Sequence, residues 1–272
     1  MFDPNGGVKH LEEGRVIFIG NADKRIQEDY LRILRYIRFF INYSNHPHNS
    51  SVKKSIKQNI AGVANLSKER LMSELKKIIL SKNFLQLSKD SFSLEILTTI
   101  FPQLVNLNNL EKMNDYSKNI FKNKTFIFLI SYLIIDETDN ANYFLFKYNL
   151  SNEDKKRIKF LIENYELFSQ KDYFNKKNLQ RIFYFNNKSY VIDLLDLKIF
   201  NSKTVPKKLI QLKKYFEQFK KPIFPLKAQD LLEKYNLKEG KEFGQKIRLL
   251  EDLWLNNSFK LSNKEIDNVL NN

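Results

Sequence analysis

Between positions 25 and 35 the sequence reads Arg-Ile-Gln-Glu-Asp-Tyr-Leu-Arg-Ile-Leu-Arg. On a 3.6-residue period Glu28, Asp29, Arg32 and Arg35 fall close together, while Ile26, Leu31, Leu34 and Phe39 lie mostly to other sides. Carboxylates accept hydrogen bonds and guanidinium groups donate them, so such a face is chemically able to read a nucleotide base. Cytosine and adenine each present an exocyclic amine beside a ring-nitrogen acceptor, whereas uracil and guanine present a carbonyl beside an N–H. An Asp that accepts and an Arg that donates therefore suit C and A and oppose U and G. Acids and bases three and four apart are also ordinary helix-surface pairs, each contributing only about 0.2–0.5 kcal/mol.

Other candidate groups are weaker. Asp136, Glu137 and Asp139 read as a helix end and turn, and Asp193 and Asp196 lie one helical turn apart, a spacing usual for solvated helix faces. His46-Pro47-His48 places two imidazoles two apart, but with no third ligand in view it reads as a loop. No Walker loop, dinucleotide fingerprint or Ser-His-Asp arrangement is present. Basic residues interleaved with aromatics, from Lys171 to Lys177 and at Lys207, Lys208, Lys213, Lys214, Tyr215, Lys220 and Lys221, offer ammonium groups for phosphates and rings for stacking on bases. The same pattern is met by core aromatics beside a solvated lysine face.

Two blocks of sequence frame the Arg25–Arg35 run. Ahead of it stand Asp3-Pro4-Asn5-Gly6-Gly7, Leu11, Gly14-Arg15-Val16 and Phe18-Ile19-Gly20; behind it stand Leu66-Ser67-Lys68-Glu69-Arg70 and Glu74-Leu75. In order and spacing, Asp3 to Ile78 resembles the class II tRNA nucleotidyltransferase and bacterial poly(A) polymerase family. A second block, Asp230-Leu231-Leu232, Leu237, Gly240, Gly244, Leu250, Glu251 and Trp254, is similar to that family's tail pattern, with Ala228 and Asn236 where glycine is usual.

The resemblance implies that Asp29 and Arg32 select an incoming CTP or ATP, with Glu28 orienting Arg32 and Arg35 supporting nearby. It implies tRNA as partner, gripped at the acceptor and T-stem region, and Mg²⁺ as cofactor. The family's Gly-Ser loop and Asp-x-Asp metal pair belong to a β-rich head, and neither occurs in this chain, so no catalytic or metal-binding residue is assigned. The expectation is therefore the C-terminal portion of an enzyme that adds or repairs the 3′-terminal CCA of tRNA, served by an upstream or separate head and inactive alone. A poly(A) polymerase portion is the alternative within the family, and a non-catalytic basic helical RNA-binding protein the alternative outside it.

Composition agrees. The 272 residues carry 46 Lys and Arg against 31 Asp and Glu, a net charge of +15 that calls for an anionic partner, nucleic acid first. The absence of cysteine excludes disulfides, thiolate nucleophiles and cysteine-ligated zinc, and fits a cytoplasmic protein. The longest apolar run, Phe126 to Ile135, is well short of the roughly 20 residues that span a bilayer, and no membrane partner is expected.

The elements that must position the acidic and basic face are helical. The expected fold is mainly α, an extended multi-helix neck, body and tail with a short β remnant of the head at the N-terminus. Gly6-Gly7 is expected to turn and Val16 to Ile19 to form a strand. Helices are expected over 23–43, 52–60, 67–81, 90–99, 124–135, 152–168, 176–186, 188–199, 205–219, 226–235, 241–257 and 262–270, with Ser67 and Ser262 opening two of them. The corresponding divisions are 1–22 (head edge), 23–83 (neck with the base-selecting helix), 84–204 (body) and 205–272 (tail).

Overall fold

A computed structural model describes residues 3–271, and among them every regular element is helical. Contacts divide the chain into two units, one running to Glu166 and taking in Leu197–Pro206, the other made of Leu167–Asp196 and Lys207 onward. Residues 167–196 thus group by contacts with Lys207 onward.

The first unit contains α1 (Gly7–Glu12), α2 (Ala22–Glu28), α3 (Leu31–Tyr43), α4 (Ser50–Asn59), α5 (Lys68–Ile79), α6 (Ser91–Ile100), α7 (Asp115–Ile120), α8 (Phe126–Ile134), α9 (Asn140–Lys147) and α10 (Asn152–Tyr165). Its core is α8, whose apolar residues on all sides are buried as expected. Burying that helix also buries its last carbonyls, which need partners. Asn106 supplies them, its side-chain amide donating to the Tyr132 and Ile135 carbonyls at 2.9 and 2.7 Å.

Two expectations fail near the N-terminus. No strand forms at Val16 to Ile19, and Gly7–Glu12 is a helix. The helix is set by Asp3, whose carboxylate accepts from the Gly7 and Val8 amides, both at 2.8 Å, while Gly6 takes the left-handed conformation at φ 67°. A strand needs a neighbour to complete its ladder, and none of the described residues supplies one.

The single helix expected over 23–43 is two helices. Asp29 is extended at φ −156° and ψ 103°, ending α2, and its Oδ1 accepts from the Leu31 amide at 3.1 Å to start α3. The apolar spacing does not show the break, because buried Ile26, Ile33, Leu34 and Ile37 would share one stripe of an unbroken helix. After the break Ile33, Leu34 and Ile37 are completely buried, and α3 packs on α5 as α2 packs on α4.

The second unit holds α11 (Lys176–Phe185), most of α12 (Lys188–Phe200), α13 (Lys207–Gln218), α14 (Ala228–Lys234), α15 (Lys241–Asn256) and α16 (Asn263–Asn271). One core gathers Leu179, Phe183, Val191, Leu195 and Phe216, and another Leu231, Phe243, Leu250, Ile266 and Leu270. Ser262 caps α16 reciprocally with Glu265, accepting from the Glu265 amide at 3.3 Å while the Glu265 carboxylate accepts from the Ser262 amide at 2.8 Å. Asn236, standing where glycine is usual in the tail pattern, has φ 49°. Asn is among the few L-residues that tolerate this region, which explains how the departure is accommodated.

Candidate functional site

The break between α2 and α3 places the acids and arginines differently from one continuous face. Glu28 ends α2 with a single carboxylate oxygen, Oε2, accepting from Arg25 Nη1 at 2.5 Å and from Arg32 Nη1 at 2.6 Å. Arg32 Nη1 also donates to the Arg25 carbonyl at 2.6 Å. One edge of the Arg32 guanidinium is thereby fixed, while among the described residues its Nη2 and Nε take no side-chain partner. The hydrogen bond from Arg32, reinforced by the Arg25 charge, holds the Glu28 carboxyl below its ordinary range, so the orienting group stays ionised near neutral pH.

Asp29 pairs across to α5. Its two oxygens each accept from Arg70 Nη2 at 3.0 Å, and Oδ1 takes the Leu31 amide as well, leaving Oδ2 with capacity to accept again. The pair is partly exposed, so its effect is orientation more than stability. Sequence reasoning placed Arg70 in a motif but gave it no role; its opposite charge to Asp29, 41 positions away, carries no local signal. Tyr30, at the break, lies against Gly62. A Cβ on Gly62 would sit 2.1–2.4 Å from the Tyr30 ring, so only glycine permits this approach.

The α2 side of the break is clamped to α4: Asp23 accepts from Ser55 Oγ at 2.9 Å and from Asn59 Nδ2 at 3.0 Å, and Gln27 donates to Asn59 at 3.1 Å. Arg25, Arg32 and Arg35 line a cleft of about 220 Å³ together with Tyr36, Phe39 and the Val16 to Ile19 segment. Beside it opens a larger, mostly apolar hollow of about 690 Å³ that includes His10, Leu11, Phe39 and Tyr43. Three of the four predicted residues are thus arranged around one feature: Arg32 and Arg35 line the cleft and Glu28 orients Arg32. Asp29 is held by Arg70 at the helix break.

A further basic cleft, of about 580 Å³ between α3 and α5, had no place in the sequence expectations. Of its lining residues, Arg38 and Lys77 are engaged by the buried Glu74 at 2.5 and 3.4 Å, while Lys76 and Lys82 line it without an acidic partner among the described residues.

The lysine track of the second unit is only partly available. Lys207, Lys208, Lys214, Lys220 and Lys221 are exposed, but Lys213 is buried and its Nζ meets Asp196 at 2.8 Å, so it cannot serve as a phosphate contact. The period decides this: Lys213 shares the inward stripe of α13 with Phe216. Tyr173 is likewise buried, and Phe174 packs edge-on against it and Phe168, so neither ring is a free stacking surface.

Metal binding fits none of these groups. Among the described residues no three Asp, Glu, His or Cys side chains converge. Asp196 is engaged by Lys213, Asp136 caps the turn at Thr138, and His48 is enclosed by aromatic rings. The Mg²⁺ implied by the resemblance therefore has no ligand set among these residues, and no chemical step is routed through it. No helix among the described residues is long and apolar enough to cross a membrane.

Residues 49–107, spanning α4 to α6, match the family described as "Probable RNA and SrmB- binding site of polymerase A". Over 98% of its length the chain is 28% identical to the mitochondrial CCA tRNA nucleotidyltransferase 1 of Mus musculus, and over 96% it is 24% identical to the CCA-adding enzyme of Lactococcus lactis. The chain spans about 60% of the length of these curated relatives. Among solved structures, the fold matches the Bacillus stearothermophilus CCA-adding enzyme in complex with CTP, with a TM-score of 0.66 and 16% identity over 94% of this chain and 65% of that one. It also matches the Thermotoga maritima CCA-adding enzyme complexed with tRNA, with a TM-score of 0.61 and 16% identity over 99% and 67%.

Proposed function

From the premise that the chain belongs to the family of class II CCA-adding enzymes, we propose that it is the base-selecting and tRNA-binding portion of an enzyme that adds or repairs the 3′-terminal CCA of tRNA. The observation that supports this reading is the Arg32 guanidinium, fixed on one edge by Glu28 and open on the other, at a cleft of about 220 Å³. Arg32 donates to the ring-nitrogen acceptor of cytosine or adenine, and Asp29, held by Arg70, accepts from the exocyclic amine. Uracil and guanine meet donor with donor and acceptor with acceptor. Arg35 adds positive charge at the cleft mouth for the triphosphate.

The RNA is held, on this reading, by its backbone: Lys76 and Lys82 in the first unit and the exposed lysines of α13 in the second are suited to phosphates rather than to base edges. The acceptor and T-stem region of tRNA is the proposed ligand, and the cytoplasm the proposed location. CTP and ATP are the substrates, and Mg²⁺ would be bound by carboxylates outside this chain.

The test is incorporation with tRNA lacking its CCA, CTP, ATP and Mg²⁺. The 272-residue chain alone should add nothing, and a version joined to a family head should add C and A but not U or G. Robust addition by the chain alone would overturn the assignment of the chemistry to carboxylates it does not contain. Addition of long A tails and no C by the joined version would make it a poly(A) polymerase.

A further inference from the structure

A line of hydrogen-bonded groups runs from Tyr36 in the cleft lining to the first turn of α6. Tyr36 lies one turn beyond Arg32, and its hydroxyl is 2.9 Å from His48 Nδ1. On the other side of the ring, His48 Nε2 is 2.8 Å from Asp90 Oδ2. Asp90 caps α6, accepting from the Ser93 amide at 3.3 Å and from Ser93 Oγ at 2.5 Å. The imidazole is 6% exposed, stacked on Phe40 with centroids 3.4 Å apart and meeting Phe92 edge-on at 4.7 Å.

The carboxylate assigns the protons. Asp90 is acceptor only, so His48 Nε2 donates to it, and in the Nε2–H tautomer Nδ1 accepts from the Tyr36 hydroxyl. Burial, with the charge of Asp90, pushes the Tyr36 phenol upward and keeps it a donor. Burial works to raise Asp90, but hydrogen bonds from His48 and Ser93 outweigh it and hold the carboxyl below its usual range. A side chain needed only to fill space would require none of this, since a phenylalanine would pack without a buried polar chain to satisfy.

The other end of the line explains the arrangement. The Tyr36 ring stacks on Phe18, with centroids 5.4 Å apart and planes within 15°. Phe18 belongs to the Val16 to Ile19 segment, which has no ladder and exposes Ile17 and Ile19, yet lines the cleft with Arg32 and Arg35.

We propose that Tyr36, oriented by Asp90 through His48, is a positioning residue that holds Phe18 and hence the 16–19 segment at the cleft. It sets how tightly CTP and ATP are held, while Asp29 and Arg32 set which base is taken. The proposal rests on the reading of the cleft as a nucleotide site.

The test measures binding of CTP, ATP, UTP and GTP to the full chain by calorimetry, with thermal unfolding alongside, for wild type, Tyr36→Phe, Phe18→Leu and Phe18→Tyr. Tyr36→Phe and Phe18→Leu should weaken CTP and ATP by about three- to tenfold, the size of one hydrogen bond or ring contact, with the CTP-to-UTP ratio unchanged. Phe18→Tyr, which keeps the stack, should bind as wild type. The chain has three histidines, so the ring ¹⁵N signals of His48 can be resolved. CTP should shift them in wild type, although His48 does not line the cleft, and should not in Tyr36→Phe.

A merely structural role would lower the melting temperature and leave affinity and the His48 response unchanged. That result, in a wild type that prefers CTP and ATP, overturns the positioning role and leaves the cleft assignment standing. A wild type with no preference among the four nucleotides overturns both. Should Tyr36→Phe not fold, the Phe18→Leu and Phe18→Tyr pair gives the same decision.

Discussion

The α2–α3 break and helix α13 carry similar charged sequence and treat it in opposite ways. At the break, Arg25, Glu28, Arg32, Asp29 and Arg70 hold one another in fixed directions while part of each arginine faces outward. On α13, Lys213 is drawn inward onto Asp196 and the remaining lysines extend into solvent without being fixed. Selecting a base demands groups whose direction is set before the ligand arrives, because an arginine that must first be ordered loses much of what its hydrogen bonds provide. Gripping a phosphate backbone demands only charge within reach, and flexible lysines suffice.

The largest effect expected from this contrast is on stability. Lys213→Ala should cost about 3–5 kcal/mol by leaving Asp196 buried without its cation, measured by denaturant unfolding. Removing both charges, with Lys213→Met and Asp196→Leu, should recover most of the loss. If Lys213→Ala instead weakened RNA binding at unchanged stability, the lysine would be a ligand contact and the contrast would fail.

Gly62→Ala comes next. Its methyl must displace the Tyr30 ring, at about 1–3 kcal/mol for an overpacked site, and Tyr30 adjoins Asp29 at the break. Nucleotide discrimination should fall along with the melting temperature; lower stability with full discrimination would show that the break does not depend on this packing. Arg70→Ala is expected to do the reverse, leaving stability within about 1 kcal/mol, as for exposed ion pairs, and loosening the choice of C and A over U and G. The smallest individual effects belong to Lys207, Lys208, Lys214, Lys220 and Lys221. Each change to Ala should leave stability within about 0.5 kcal/mol and flatten the dependence of log K on log salt by about 0.7–0.9 for each phosphate no longer neutralised. A change in nucleotide preference from any of them would place base reading partly on α13 or the segment after it.

Legibility in the sequence followed the range of the interactions. Helices with an apolar stripe and a capping residue were readable, as α5 with Ser67 and α16 with Ser262 show. The α2–α3 break was not, because Asp29 three before Arg32 looks like a helical ion pair, whereas the structure uses Asp29 to end one helix and start the next. Helix α9 was missed because only Ala141, Phe144 and Leu145 of its eight residues are buried, while Tyr143 and Phe146 point outward. The expected β remnant failed for a related reason: the β-branched and aromatic run at Val16 to Ile19 is present, but a strand is a property of a pair. Around the α2–α3 break, the local pairing was legible and the long-range partners were not. Glu28 with Arg32 is local, whereas Asp29 with Arg70, Tyr30 against Gly62 and Tyr36 with His48 and Asp90 depend on how helices meet.

The central claim is that Asp29 and the Arg32 held by Glu28 choose the base, and exchanging either for alanine in a head-containing version tests it most directly. Competition between CTP and UTP, and between ATP and GTP, should show the wild type taking C and A. Asp29→Ala and Arg32→Ala should each lose about 1–3 kcal/mol of that discrimination, the value of a paired base contact. Variants that still take C and A with wild-type preference would contradict the account and move the selecting groups elsewhere.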